Sequence, residues 1–106
     1  MKTFLAIYTG TAESMAQARW AALTDQEREA RESQAMQEWG QWMQDNGAAI
    51  VDAGAPLGKT KCVSPDGISD IRNVMAGYVI IRAETHENAA RMFLNHPHFT
   101  IFPGDA

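Results

Sequence analysis

The amino-acid sequence predicts a single α+β domain in which helices cover one face of an antiparallel β-sheet. The chain has 106 residues, which is the size of one ordinary domain, so we expect one domain over residues 1–106. Short β-branched and aromatic runs alternate with amphipathic helical segments. Glycine and proline turn signals separate these runs, and no repeat or low-complexity linker interrupts them.

Composition and charge exclude several classes of function. The chain is 45% hydrophobic and 21% charged, as globular proteins are. Its formal net charge is −4 and its Lys and Arg residues form no cluster, so we expect no nucleic-acid partner. No basic amphipathic helix and no apolar run of transmembrane length is present, so we expect no membrane partner. The apolar run at residues 4–8 is too short for a signal-peptide core, and the cytoplasm is the expected location.

Cysteine and glycine patterns give no sign of a cofactor. Cys62 is the only cysteine, which excludes an intrachain disulfide and a cysteine-based zinc site. Its β-rich surroundings favour an inert thiol on a strand. The spacing of Gly54 and Gly58 fits neither a phosphate-binding loop nor a dinucleotide fingerprint. We therefore predict no cofactor and no metal.

The first strand is predicted at residues 3–9 and ends before Gly10. Side chains alternate between the two faces of a strand, and both faces are apolar here. Phe4, Ala6 and Tyr8 lie on one face, while Leu5 and Ile7 lie on the other. This strand is therefore expected to be central and covered on both sides.

A long helical region follows in two segments. Thr11 can cap the first segment, and Thr24 begins the second with a capping box, because Glu27 stands three residues later. Asn46-Gly47 is expected to end the helix, with Gly47 in the left-handed conformation that such ends favour. The apolar stripe of the second segment is predicted to consist of Met36, Trp39 and Met43.

The second half of the chain predicts strands and a short helix. Residues 50–58 are extended and lead to a strand at 59–64, and Pro65-Asp66-Gly67 is a strong turn signal. The clearest strand is 77–83, and we expect 59–64 and the 71–83 region to form an antiparallel pair. Thr85 caps a helix that His96-Pro97 ends, with a buried side formed by Ala89, Ala90, Met92 and Phe93. The apolar run at 99–102 is the candidate for a last strand.

This order of elements, β-α-β-β-α-β, predicts a ferredoxin-like fold. Its antiparallel sheet has four strands, of which the last is short or missing. Both helices would cover one sheet face, which leaves the other face apolar and uncovered. The same sheet from a second copy of the chain is the simplest structure that could cover this face. We therefore predict a homodimer through the open sheet face, arranged as a dimeric α/β barrel.

The same segments, in this order, resemble the YCII-related family and its DGPF-like members, within the dimeric α/β barrel superfamily. The resemblance covers nearly the whole chain. It rests on Trp20-Ala21-Ala22-Leu23-Thr24, Trp39, Asp52-Ala53-Gly54-Ala55-Pro56-Leu57, Asp66-Gly67, Gly77-Tyr78-Val79-Ile80-Ile81, Glu87-Asn88-Ala89-Ala90 and His96-Pro97. It implies a small-molecule enzyme of the lyase, isomerase or dehalogenase type that acts by general acid/base chemistry.

Two features depart from the pattern of the family. Ser69-Asp70-Ile71-Arg72 occupies the place of the DGPF segment. Some members carry a first-helix histidine that is proposed to form a catalytic dyad with an aspartate, whereas residues 27–44 here contain no histidine. This absence argues against such a dyad in this chain and favours a binding module over an enzyme that depends on it.

His96 and His98 are the first candidate catalytic residues. Two imidazoles that flank Pro97 at a helix exit can form an acid/base pair or supply two metal ligands. A metal would need a third ligand, and no His-x-x-x-His pattern supports one. The alternative is that His96 meets the helix carbonyls while His98 faces solvent.

Asp52 is the third candidate catalytic residue. A carboxylate at the rim of a cleft can be a general base with a raised pKa. The alternative is that it accepts hydrogen bonds from backbone N–H groups in the turn at Gly54.

The candidate ligand-binding residues are Tyr8, Trp39, Trp42 and Arg72. Tyr8 and Trp39 are either walls of a cleft between the sheet and the long helix or plain core residues. Trp42 lies off the apolar stripe, which favours an interface or the mouth of a pocket. Arg72 either lines the pocket or pairs with Asp70 on the surface.

Three functions stay open on the sequence alone. The chain is an acid/base enzyme on a small organic ligand, a non-catalytic module that encloses such a ligand, or a structural interaction domain. The first predicts buried ionisable groups that converge in a pocket, the second predicts an aromatic pocket without them, and the third predicts no pocket.

Overall fold

A computed structural model describes residues 1–10, 22–100 and 105–106 of the chain. These residues form an α+β fold with antiparallel sheets. The predicted helical segment that Thr11 would cap lies outside the described residues, as do residues 101–102 of the candidate last strand. Residues 99–100 of that candidate belong to a short helix, so the prediction of a strand there is wrong. The elements are β1 (Lys2–Thr9), α1 (Asp25–Asp45), a 3-10 turn (Gly47–Ala49), β2 (Ile50–Pro56), β3 (Thr60–Ser64), β4 (Gly67–Ile71), β5 (Met75–Ala83), α2 (His86–Arg91) and α3 (Pro97–Thr100).

The larger sheet, called the main sheet below, contains three described strands in the order β1-β5-β2. The four-stranded sheet of the prediction is therefore wrong for the described part of the chain. Among the described strands, β5 lies in the centre, and β1, which was expected in the centre, has β5 as its one strand neighbour. The reason is visible in β5, where Val79, Ile81 and Ala83 are buried in alternation. The segment at 50–56, expected only as an extended lead, is itself the strand that pairs with β5.

β3 and β4 form a separate two-stranded hairpin, in which Thr60 pairs with Ile71 and Ser64 with Gly67. The predicted pairing of 59–64 with the 71–83 region is therefore wrong apart from Ile71, because the partner strand is Gly67–Ile71. The turn at Pro65-Asp66-Gly67 reverses the chain at once, and Gly67 has φ of 123°, a conformation that glycine tolerates. Closing this short loop costs less entropy than reaching β5, so the neighbouring segments pair with each other.

α1 begins as predicted at Thr24, whose hydroxyl oxygen accepts a hydrogen bond from the Glu27 N–H at 3.1 Å. Its buried stripe differs from the prediction, because Met36 is 77% exposed. Trp39 and Met43 of the predicted stripe are half-buried against the core, and Ala35 and Trp42 are buried, so Ala35 takes the place that was predicted for Met36.

The end of α1 also differs from the prediction. Gly47 is not among the glycines with positive φ, which are Gly54 and Gly67 in the described chain. Asn46 ends the helix instead, since its backbone N–H and its side-chain amide both donate to the Trp42 carbonyl, at 3.1 and 2.9 Å. These bonds satisfy a helix-end carbonyl without a left-handed residue.

The hydrophobic core lies between one face of the main sheet and the helices. Thr85 caps α2 as predicted, by accepting from the Asn88 N–H at 3.1 Å. Ala89 is buried on this helix, whereas Ala90, expected on the buried side, is exposed. The buried apolar residues that form the core are Tyr8, Trp42, Val79, Ile81, Ala83, Ala89 and Phe93.

The opposite face of the main sheet, called the open face below, carries Leu5, Ile7, Tyr78 and Ile80. The register places Leu5 beside Ile80 and Ile7 beside Tyr78. Leu5 is 62% exposed, so β1 is not covered on both sides by the described residues. The other three side chains are half-buried.

Candidate functional site

A cavity of about 530 Å³ lies at the end of β1, between the main sheet and the residues that cover it. We call it the Tyr8 cavity. Its walls are Tyr8, Trp39 of α1, His98 of α3, and the stretches 53–56 of β2 and 76–78 of β5. The Tyr8 ring lies 4.8 Å from the Trp39 ring and 5.1 Å from the His98 ring, measured between centroids.

Two glycines shape the sheet side of this cavity. Gly77 pairs with Tyr8, and a Cβ built on Gly77 would lie 3.7 Å from Cδ2 of the tyrosine ring. Gly54 has φ of 74° and lies so close to β5 that a Cβ there would overlap the Tyr78 carbonyl. Larger residues at these positions would move β2 or the tyrosine, so the glycines keep the cavity and its strands in place.

Both histidines enter the interior because the chain turns sharply after α2, and His98 lines the cavity. Asn95 adopts a left-handed φ of 61°, which redirects the backbone into the interior. His96 is 0% exposed and His98 is 6% exposed. The interpretation that His98 faces solvent is therefore wrong.

Hydrogen bonds determine which ring nitrogen of His96 carries the proton. The backbone N–H of His98 donates to His96 Nδ1 at 3.0 Å, so Nδ1 must present its lone pair. The proton of the neutral ring is then on Nε2, which lies 3.1 Å from the Tyr8 hydroxyl oxygen and donates to it. His98 Nε2 lies 2.9 Å from the Thr9 carbonyl oxygen, which can only accept, so this nitrogen also carries a proton.

Burial determines the protonation states of His96 and Tyr8. It lowers the pKa of His96 to about 4, with a further contribution from the neighbouring His98. It raises the pKa of Tyr8 well above its usual value near 10. At neutral pH, His96 is therefore a neutral imidazole and Tyr8 keeps its hydroxyl proton, which suits hydrogen-bond donation better than proton abstraction.

Asp52 and Arg72 are not among the residues that line the Tyr8 cavity. Asp52 is exposed, and its Oδ1 accepts the Gly54 N–H at 2.8 Å, which is the turn role that its position also allowed. Arg72 is exposed beyond the end of β4. The expected pairing of Asp70 with Arg72 is replaced by a salt bridge from Asp70 to Lys61 across the hairpin.

Trp42 lies in the core rather than at an interface or pocket mouth. Its indole N–H donates to the Met92 carbonyl at 3.1 Å, and its ring centroid lies 4.5 Å from that of His96. Trp42 therefore packs against His96 and is not among the residues that line the cavity. The structure thus brings together Tyr8, Trp39, His96 and His98, and leaves Asp52, Arg72 and Trp42 outside.

The small wall residues were not predicted. Gly77 precedes Tyr78 at the start of the clearest strand, and that glycine-aromatic pair was the only local signal. Gly54 was interpreted as a backbone glycine without a link to the site. The Tyr8–His96 contact joins residues separated by 88 positions, for which no local pattern exists.

Within the described ranges, no group of three or more His, Cys, Asp and Glu residues has the arrangement of a metal site. A search of the described helices also finds none that is long and apolar enough to cross a membrane. Comparison of the chain with protein-family models, with curated proteins and with solved structures finds no match in any of the three.

Proposed function

We propose that this protein binds a small, largely apolar organic molecule in the Tyr8 cavity. The observation that carries the proposal is the cavity itself, which has a volume of about 530 Å³ and lies within the usual range for small-molecule sites. Its walls combine the aromatic residues Tyr8 and Trp39 with small residues of β2 and β5. A space between aromatic and small side chains suits a flat ligand.

The charge of the walls supports a neutral ligand. Among the described residues that line the cavity, none is Asp, Glu, Lys or Arg. An ionised ligand would lose its hydration on entry without gaining an oppositely charged side chain from these residues, which is unfavourable. Tyr8 and His98 provide the few polar atoms that a mostly apolar site needs to orient its ligand.

General acid/base catalysis in the same cavity is the second candidate. The observation that favours it is the contiguous set of Tyr8, His96 and His98, which are buried and joined by hydrogen bonds. Such groups transfer protons in lyases and isomerases, the class that the resemblance to the YCII-related family implies. In this proposal His98 and Tyr8 meet the ligand and His96 supports them, while Asp52 has no part in proton transfer.

We also propose that the main sheet belongs to a ferredoxin-like fold and pairs with a second copy of this chain through the open face. The strand order β1-β5-β2 is compatible with three strands of that fold. Leu5, Ile7, Tyr78 and Ile80 form a contiguous apolar surface across two paired strands. The same surface on a twofold-related copy would be self-complementary, as closed dimers require.

The experiment is a screen of neutral aromatic fragments by two-dimensional ¹H–¹⁵N NMR, read at the Trp39 indole and the Gly77 amide. We expect fragments to bind the wild type and to lose at least tenfold in affinity in Ala53→Phe, because Ala53 lines the cavity and a phenyl group would fill it. Ala48→Phe is the matched control, since Ala48 is exposed in the 3-10 turn and does not line the cavity.

Three outcomes separate the candidates. The absence of binding at millimolar concentration, or an equal loss in both variants, would contradict the binding proposal. A bound fragment that stays chemically unchanged for days supports a binding module. A fragment that is converted, with conversion lost in His98→Gln, supports the enzyme.

A further inference from the structure

We propose that the Tyr8 hydroxyl selects ligands that carry a neutral, carbonyl-type acceptor oxygen, and that His96 is the positioning residue that turns this hydroxyl towards the cavity. The inference rests on the proposed binding function and adds the chemical class of the ligand. It follows from the direction of three consecutive hydrogen bonds.

The first two bonds have a defined polarity. The backbone N–H of His98 has only a proton to offer, so His96 Nδ1 accepts it at 3.0 Å. The neutral imidazole then has its single N–H at Nε2, which points at the Tyr8 oxygen 3.1 Å away. Tyr8 is therefore the acceptor in this pair, and its own hydrogen is not used by His96.

The orientation of the His96 ring is locked. Rotating the ring by half a turn would place Cε1 at the Tyr8 oxygen and Cδ2 at the His98 N–H, and both hydrogen bonds would be lost in a buried environment. Aromatic rings also confine it, since the centroids of Trp39 and Trp42 lie 4.6 and 4.5 Å away. The donor-to-acceptor direction of these hydrogen bonds, from the His98 N–H to His96 and from His96 to Tyr8, is thus a stable property of the fold.

The third bond is left for the ligand. Tyr8 lines the cavity, and His96 is its only hydrogen-bond partner among the described residues. The Tyr8 hydroxyl oxygen accepts the hydrogen bond from His96, which leaves the hydroxyl proton to be donated. The complementary ligand group is therefore a hydrogen-bond acceptor. An ammonium group has no lone pair to accept it, and a carboxylate would lack a fixed cation among the described wall residues. A ketone, ester or amide carbonyl satisfies both conditions.

The experiment compares two probes of the same shape, 2-acetylnaphthalene and 2-ethylnaphthalene, which differ in the carbonyl oxygen. Affinities are measured by NMR titration, and the C=O stretch of ¹³C-labelled ketone is recorded by infrared spectroscopy. In the wild type we expect the ketone to bind roughly 5- to 10-fold more tightly, as one neutral hydrogen bond allows, with the stretch moved to lower frequency.

The variants separate the donor from the positioning residue. In Tyr8→Phe, the preference for the ketone is expected to fall to about one and the shift of the stretch to disappear, while 2-ethylnaphthalene still binds and so reports an intact cavity. In His96→Leu, the hydroxyl loses its orientation, and we expect a smaller preference and a broad, weakly shifted stretch. His96→Gln retains an N–H donor near the position of Nε2 and is expected to restore part of both.

Each contrary outcome has a distinct meaning. If the two probes bind the wild type equally, the inference fails and the binding function stands. If neither binds, both fail. If the preference for the ketone survives in Tyr8→Phe, the donor is misassigned and the inference is overturned. An unaltered stretch and preference in His96→Leu would overturn the positioning role of His96.

Discussion

The Tyr8 hydroxyl oxygen lies 3.1 Å from His96 Nε2 in a buried contact between β1 and the segment that follows α2. The contact joins the two ends of the chain across 88 positions and stands at the wall of the cavity. It couples the core to the candidate site, because Tyr8 is at once a core residue and a wall residue. Perturbation of this pair should therefore be measurable in both stability and ligand selection.

The depressed pKa of His96 predicts that stability falls in mild acid. Unfolded chains take up a proton at a histidine near pH 6.5, whereas folded His96 does so only near pH 4. Between these values the unfolded state binds more protons, so the free energy of unfolding decreases as the pH falls from 6.5 to 4. Below pH 4 both states are protonated at this histidine, and the contribution of His96 no longer changes with pH. The full contribution corresponds to about 3 kcal/mol.

The measurement is urea denaturation of the wild type and His96→Gln across this pH range. Carboxylates contribute to both curves alike, so the difference between the two proteins isolates His96. We expect His96→Gln to be less stable at pH 7, because it replaces a packed ring, and to lose less stability on acidification. Parallel curves would contradict the prediction.

Gly54 is predicted to be intolerant of a side chain. A Cβ there would overlap the Tyr78 carbonyl, and φ of 74° is unfavourable for alanine. We expect Gly54→Ala to lower the free energy of unfolding by more than about 2 kcal/mol. Gly58→Ala is the matched control, since a Cβ at Gly58 meets nothing within 4 Å, and it should change stability by less than about 0.5 kcal/mol. Equal effects would show that β2 does not hold this close approach in solution.

Ile81 is predicted to be the most costly aliphatic truncation on the central strand. It is 0% exposed and its partner across the sheet is Phe4. We expect Ile81→Ala to cost about 2–5 kcal/mol in thermal or chemical denaturation, through lost burial and the cavity left behind. Ile68→Ala on the hairpin is the control, because Ile68 is 73% exposed, and its effect should be close to zero.

The proposed homodimer is tested by sedimentation velocity at micromolar concentration. We expect a dimer for the wild type and a monomer for Leu5→Lys, which places a charge in the open face, where Leu5 is 62% exposed. Val63→Lys is the control, because Val63 is 76% exposed on β3, outside the main sheet, and should leave the dimer intact. A monomeric wild type would contradict dimerisation through this face.

Local features of the fold were predictable from the chain itself. The caps at Thr24 and Thr85 are confirmed, and each depends on a hydrogen bond to an N–H three residues later. The turn at Pro65-Asp66-Gly67 is likewise formed by adjacent residues, including the Asp66 N–H, which donates to the Ser64 hydroxyl at 3.2 Å. Such features need few residues, and the residue types present at those positions specify them.

Strand partners, helix rotation and the composition of the site depended on contacts between distant segments. The pattern around Trp39 fits a stripe with Met36 as well as one with Ala35, and in the folded chain Ala35 is the buried one. β5 pairs with β1 and β2, whereas β3 pairs with β4, its neighbour along the chain, across a tight turn. His96 and His98 were recognisable as chemically capable residues, but their burial and their bonds to Tyr8 and Thr9 exist only once the two ends of the chain meet. Periodicity constrains neighbours a few residues apart, whereas the entropy of loop closure and the fit of side chains determine which distant segments come together.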